Sequence, residues 1–237
     1  MERLNSSMWA IVPCKKLDFA KRRLAPVLSV GERRRLVVAM LSDVLDVLMK
    51  ISALSGVAVI SSDPDIADLA RSFGVRRYLK DNDAGVSSAL TIASGLLSKD
   101  GAQGILAVPG DLPLLAQSDV MRALEAISAS PAVALAPDRH KHGTNLLAMN
   151  PLGAIQYLFG GLSFQAHIAA ARTGGIEPID IQTESLGLDI DTAEDLLMFA
   201  RERSPTRTFR YLTESGIRDR LLLQSMHVPI QAGAGRG

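Results

Sequence analysis

The stretch Gly104-Ile-Leu-Ala-Val-Pro-Gly-Asp-Leu-Pro-Leu114 decides how the chain is read. Gly104–Pro109 is short, apolar and bounded by turn residues, which predicts a buried strand and not a helix. It runs straight into Pro109-Gly110, a turn signal, and the next residue is acidic. In an open α/β sheet, ligands collect at the carboxyl ends of the strands, so this placement projects Asp111 into a cleft. A plainer reading also stands here, in which Asp111 only stabilises the turn or caps a helix.

Working outward, similar apolar runs occur at Trp9–Pro13, Val57–Ser61 and Ala132–Ala136, with further strands expected at Thr144–Asn150 and Ile176–Ile181. Between them lie segments with a period near 3.6. The longest runs from Gly31 to Lys50, where Leu36, Val37, Met40, Leu41, Val44, Leu45 and Leu48 form one apolar stripe. Shorter helices are predicted at Asp65–Phe73, Ser87–Leu97, Ser118–Ser128, Ser163–Thr173 and Thr192–Arg203. Ser118 before Asp119, and Thr192 before Glu194 and Asp195, read as helix starts. Strands alternating with helices predict an α/β fold, a mainly parallel sheet with helices on both faces.

No repeat or dividing linker interrupts this rhythm, so residues 1–203 read as one domain. The tail, 204–237, carries Arg207, Arg210, Arg218 and Arg220, a helix near Ile217–Met226 and the glycine-rich end Gly233–Gly237. It reads as a peripheral helix with a flexible end, or alternatively as the contact of a homodimer.

Composition removes several classes. The 26 Lys and Arg against 25 Asp and Glu leave a net charge of +1, which argues against a global preference for nucleic acid or anionic membrane. One cysteine, Cys14, excludes an internal disulfide and a cysteine-cluster metal site. Met1–Ala10 shows no leader pattern and no run of about 18 apolar residues occurs, so the expectation is a cytoplasmic protein. There is no Walker motif, and the glycine run at the end lacks the flanking strand and helix that dinucleotide binding needs.

Three further motifs carry chemistry. After the first strand, Val12-Pro-Cys-Lys-Lys-Leu-Asp-Phe-Ala-Lys-Arg-Arg-Leu24 packs Lys15, Lys16, Lys21, Arg22 and Arg23 into nine positions. Clustered cations repel unless an anion neutralises them, and at a strand end phosphate fits; the alternative is a solvated loop. In Gly187-Leu-Asp-Ile-Asp-Thr-Ala-Glu-Asp-Leu196, Asp189 and Asp191 point to the same side of an extended segment. They repel unless a cation or solvent lies between them, so with Asp111 they are candidate metal ligands; otherwise they cap the following helix. Asp138-Arg-His-Lys-His-Gly-Thr-Asn-Leu146 and Phe159-Gly-Gly-Leu-Ser-Phe-Gln-Ala-His167 offer close backbone approach and neutral hydrogen bonds from Thr144, Asn145 and Ser163. Zinc at His140 and His142 lacks a third ligand at suitable spacing.

Taken in order, P-x-K with A-K-x-R-L, P-G-D-L-P-L, G-T-N, F-G-x-x-S-x-x-x-H and L-D-I-D-T-x-x-D-L resemble the CofC-type phospho-acid guanylyltransferases of coenzyme F-420 biosynthesis. The resemblance spans about Trp9 to Ala200. It implies a GT-A-like nucleotidyltransferase fold and the joining of GTP to phosphoenolpyruvate, 3-phospho-D-glycerate or 2-phospho-L-lactate, with release of pyrophosphate. It implies Mg2+ held by Asp111, Asp189 and Asp191, and acceptor contacts at Thr144, Gly160 and Ser163 with His167 nearby. Catalytic roles are implied for Lys15, Lys21, Arg23 and Asp111, and nucleotide contacts for Pro13, Lys15, Lys21, Arg23, Pro109 and Gly110. Two positions depart from the family pattern: Arg22 stands where Ser or Thr is usual, and Val86-Ser-Ser-Ala-Leu90 where L-N-A-A-L is common. The rival readings are a molybdopterin guanylyltransferase, a sugar-phosphate cytidylyltransferase, or a nucleotide-binding regulator without catalysis. The first two usually have a glycine-rich first loop, whereas this one is basic.

Overall fold

In a computed structural model, residues 7–81 and 83–226 are described. The glycine-rich end and the first six residues lie outside them. Seven strands form one sheet in the order β3-β2-β1-β4-β6-β5-β7: β1 Met8–Pro13, β2 Gly56–Ser61, β3 Arg77–Lys80, β4 Gly104–Ala107, β5 Ala132–Pro137, β6 Thr144–Asn150 and β7 Ile179–Asp180. The expected mainly parallel sheet is found, with β6 alone running against its two neighbours, β4 and β5.

The two-residue alternation of a strand builds both faces. Ala10, Val12, Val57, Val59, Leu106, Ala134 and Ala148 point to one core. It is completed by α1 (Val30–Leu48), α2 (Pro64–Ser72), α4 (Gln117–Ala126) and α7 (Ala193–Arg201). Trp9, Ile11, Ala58, Ile60, Ile105, Leu135 and Leu147 point to the other, under α3 (Val86–Lys99) and α5 (Ser163–Thr173). The apolar stripe of α1 is buried throughout, with Leu36, Met40, Leu41, Val44 and Leu45 at zero exposure. Ser29 caps it in a capping box with Glu32.

Several sequence expectations are corrected. β4 ends at Ala107, because the chain turns at Pro109 and Val108 N–H makes the last bond, to Ile11 O. The helix expected from Ser118 opens at Gln117, and its start is stabilised by the Asp119 carboxylate accepting from Ala116 N–H at 2.9 Å. The strand expected over Ile176–Ile181 shrinks to the exposed edge pair Ile179–Asp180. β3, with a charge at each end, was not expected. Thr192 does start α7, in a reciprocal box with Asp195.

The described part of the tail holds two helices, α8 (Arg207–Glu214) and α9 (Ile217–Met226), with the four-residue α6 (Glu184–Gly187) lying earlier in the chain. Leu212, Ile217 and Leu221 belong to the same core as α1, so that core continues across Ser204. The Asp43 carboxylate of α1 accepts from Arg207 N–H, Thr208 N–H and Thr208 Oγ, which fixes the start of α8.

The topology places the site. After β3 the chain crosses back to lay β4 on the other side of β1, so the strand order reverses between β1 and β4. The loops leaving those two strands diverge there and open a crevice. Because β6 is antiparallel, its first residue, Thr144, also lies at that end of the sheet.

Candidate active site

A cavity of about 700 Å3 occupies the crevice. One wall is the basic loop after β1: Pro13, Cys14, Lys15, Lys16, Lys21, Arg22 and Arg23 all line it. Two short 3-10 turns, Leu17–Phe19 and Arg22–Leu24, fold this loop back on the sheet. Leu17 N–H donates to the buried Asp63 carboxylate at 2.9 Å, and Lys21 takes a left-handed φ of 51° between the turns. That backbone turn aims Lys21 inward while Lys15 and Arg23 stay exposed. Arg22, one of the departures from the family pattern, lies over the Phe19 ring at the rim.

The facing wall is the turn after β4: Val108, Pro109, Gly110 and Asp111. Gly110 backs on Leu41 of α1, where an added Cβ would come within 3.0 Å of Leu41 Cδ1. The segment carrying Asp189 and Asp191 is tied to this turn by Ile190 N–H donating to Asp111 O at 3.2 Å. The three aspartates are therefore neighbours, at one end of the sheet.

A lysine joins two of them. Lys21 Nζ lies 2.5 Å from Asp111 Oδ2 and 2.5 Å from Asp191 Oδ1, with its side chain only 8% exposed. Burial works against the ammonium charge, but the two carboxylates outweigh it and raise the Lys21 pKa. Burial likewise opposes ionisation of Asp191, yet Lys21, with Arg23 and Lys15 further off, holds its carboxyl below the usual range. Asp189 makes no ion pair among the described residues, and the Lys21 charge favours its carboxylate only weakly. Burial, then the Asp111 charge, push it up to about 6 against a hydrogen bond from Asn145 Nδ2 at 3.0 Å. Burial and the same Asp111 charge push the Cys14 thiol up to about 12.

Among the described residues no three His, Cys, Asp or Glu side chains form a metal-binding group. Two carboxylates do converge on one cationic atom, and Asp111 Oδ1 is buried without a hydrogen-bond partner. Hard oxygen donors with an unmatched buried acceptor fit a divalent cation that uses one or two carboxylates, as Mg2+ does. Asp189 adjoins this pair and is turned to Asn145.

The third wall holds Thr144 and Phe159. Behind Thr144 lie Ser163, 3% exposed, and His167, 0% exposed. Ser163 Oγ donates to Thr144 Oγ1 at 3.1 Å, and His167 Nδ1 is 3.0 Å from the same oxygen. Gly160 is exposed beside Phe159, and its Cα faces open space. The expected site residues thus divide in two. Pro13, Lys15, Lys21, Arg23, Pro109, Gly110, Asp111, Thr144 and Asp191 line the cavity; Gly160, Ser163, His167 and Asp189 do not.

The fourth wall is Asp81, Asp83, Gly85, Val86 and Ala89; the sequence reading singled out the segment Val86–Leu90 but missed Asp81, Asp83 and Gly85. Asp83, at a left-handed φ of 59°, accepts from Ser62 Oγ and pairs with Lys16 at 3.0 Å. The cluster of Asp and Gly after β3 was a usable turn signal, but β3 itself was unrecognised. Ser87, in the other departing segment, accepts from Phe159 N–H at 2.9 Å and so links two walls.

Residues 8–222 match the family described as guanylyl transferase, CofC-like. The chain is 37% identical over 187 residues to the phosphoenolpyruvate guanylyltransferase of Sphaerobacter thermophilus, covering 79% of this chain and 89% of that one. It is 35% identical to the 2-phospho-L-lactate guanylyltransferase of Methanothermobacter thermautotrophicus, covering 79% of this chain and 81% of that one. In fold it is similar to a Desulfovibrio desulfuricans protein assigned to the nucleotide-diphospho-sugar transferases, with a TM-score of 0.74, 18% identity, and 92% and 98% of the two chains covered. Among the described residues no helix is long and apolar enough to cross a membrane.

Proposed function

The chain belongs to the family of CofC-like guanylyl transferases, and from that premise we propose that it joins GTP to a phosphorylated three-carbon acid and releases pyrophosphate. The acceptors are phosphoenolpyruvate, 2-phospho-L-lactate and 3-phospho-D-glycerate, and the product serves coenzyme F-420 biosynthesis in the cytoplasm. One observation carries the reading: the cations Lys15 and Arg23, the paired carboxylates Asp111 and Asp191, and Thr144 with Phe159 line a single cavity.

In this reading a phosphate oxygen of the acceptor attacks the α-phosphorus of GTP. A new P–O bond forms as the bond to the β-phosphate oxygen breaks, and pyrophosphate leaves. The nucleophile is already anionic near neutral pH, so no general base is needed. The obstacle is charge: like charges 4 Å apart cost about 4 kcal/mol per pair at an effective dielectric of about 20. Lys15 and Arg23 neutralise the departing phosphates, and Arg brings the paired donors that suit them. Thr144, backed by Ser163, orients the acceptor. Asp111 and Asp191, with Asp189 beside them, would hold Mg2+, which when bound supplies Lewis-acid polarisation of phosphoryl oxygens. Lys21 keeps those carboxylates together.

The test is incubation with GTP, Mg2+ and each of the three acceptors, followed by pyrophosphate assay and mass measurement of the product. A mixture of all three acceptors ranks them. GTP bound without pyrophosphate release, for every acceptor, would overturn the transferase reading.

A further inference from the structure

His167 is fully buried and does not line the active-site cavity, yet both its ring nitrogens are engaged. Nε2 lies 2.9 Å from Leu158 N–H, and Nδ1 lies 3.0 Å from Thr144 Oγ1. The Phe159 ring meets the imidazole edge-on at 4.9 Å.

The partners settle the tautomer. A backbone N–H can only donate, so Nε2 must carry a lone pair. A neutral imidazole then has its proton on Nδ1. Burial, which lowers the His167 pKa to about 4, keeps the ring neutral at physiological pH. Nδ1–H therefore donates to Thr144 Oγ1, and Ser163 Oγ donates to the same atom at 3.1 Å. A hydroxyl oxygen has two lone pairs and one proton. With both lone pairs filled, the Thr144 hydroxyl is left as a donor only, on a residue that lines the cavity.

We propose that His167 is a positioning residue, which fixes the Thr144 hydroxyl as a donor toward an anionic oxygen of the acceptor and anchors the Leu158–Phe159 wall at the same time. This rests on the reading of that wall as the acceptor side. It gives His167, expected near the acceptor, a supporting role: the imidazole acts through Thr144 and never touches the ligand. A donor-only hydroxyl matches the phosphate and carboxylate oxygens of a phospho-acid, which can only accept. It also selects against a ligand that presents a donor at that spot.

Two variants separate the two ring nitrogens. In His167→Asn the amide N–H replaces Nδ1 and still donates to Thr144. In His167→Gln the amide oxygen replaces Nε2 and the donor to Thr144 is lost. The expected result is an acceptor KM raised about tenfold in His167→Gln and in Thr144→Val, the scale of one lost hydrogen bond to a charged group. KM for GTP stays within about twofold, and His167→Asn restores most of the acceptor KM. The double variant His167→Gln/Thr144→Val is no worse than Thr144→Val alone, since the histidine works through the threonine. Nitrogen-15 NMR of the folded wild-type protein at pH 7 gives an independent reading: Nδ1 protonated and Nε2 bare. The opposite tautomer, or an imidazolium, overturns the proposal, as does equal elevation of both KM values. If Thr144→Val raises the acceptor KM and His167→Gln does not, only the role of His167 fails. If Thr144→Val leaves the acceptor KM unchanged, the acceptor-side reading fails and takes the proposal with it.

Discussion

The ammonium of Lys21 stands 2.5 Å from Asp111 Oδ2, across 90 residues of chain, and so engages an oxygen of a candidate metal ligand. Asp191 completes the arrangement from the other side at the same distance. A divalent ion held by Asp111 and Asp191 would compete with the lysine for the same oxygens. In Lys21→Met, which keeps the length and removes the charge, Mn2+ is expected to bind the nucleotide-free protein about tenfold more tightly, one lost competing charge pair at intermediate dielectric. Calorimetry, or the electron paramagnetic resonance of free Mn2+, reads this directly. Unchanged or weaker binding would show that the ion and the lysine occupy different positions.

Asp111→Asn is expected to lower turnover by at least about a hundredfold, the scale of losing one electrostatic stabiliser. Circular dichroism should show a folded protein, because Ile190 N–H bonds the backbone oxygen of residue 111 and not its side chain. Full Mg2+-dependent pyrophosphate release in this variant would remove Asp111 from the cation site.

Burial lowers the His167 pKa to about 4, from an ordinary value near 6.5. The unfolded chain therefore binds the proton first, and the stability due to the neutral ring is present above about pH 6.5 and is lost as pH falls toward 4. The full difference is on the order of 3 kcal/mol. Thermal melts of the wild type between pH 7 and 4.5 should accordingly fall more steeply than those of His167→Asn, which has no ring to protonate. Parallel curves would mean that the ring is already charged or solvated in the folded protein.

Asp43 gathers three donors from the first turn of α8: Arg207 N–H at 2.7 Å, Thr208 N–H at 2.9 Å and Thr208 Oγ at 2.6 Å. Asp43→Ala leaves those donors unmatched in a buried place and should cost about 3 kcal/mol, with α8 and α9 losing hydrogen-exchange protection before the sheet does. Uniform loss of protection across the molecule would mean that the two helices unfold only with the rest.

Much of the fold was legible because strands and helices write their period into the sequence. Val57, Val59 and Ala58, Ile60 fall on opposite faces of β2 as alternation requires, and the Leu36–Leu48 stripe of α1 is buried as read. β3 was illegible for a physical reason. It is an edge strand whose ends, Arg77 and Lys80, are exposed, so it has no apolar face to announce it. Its place is fixed by pairing with β2 and by Tyr78 Oη donating to Ser61 O at 2.6 Å. Missing β3 also hid Asp81 and Asp83, which enter the cavity only because that strand ends beside β2.

Local chemistry in the chain alone determined which residue types could serve: cations after the first strand, an acid after Pro109-Gly110, two acids two positions apart, and a hydroxyl after a glycine. Those are properties of neighbours, and neighbours are all that backbone period and turn preference can report. Tertiary structure decided which of them meet. Lys21 faces inward to Asp111 and Asp191 while Lys15 and Arg23 stay exposed along the cavity, Asp189 turns to Asn145, and His167 stands behind Thr144. These choices depend on the crossover between β1 and β4 and on the reversed direction of β6, which join segments up to 170 residues apart. Burial and charge pairing act only after that closure, so their outcome is written in the packing and not in any single stretch of the chain.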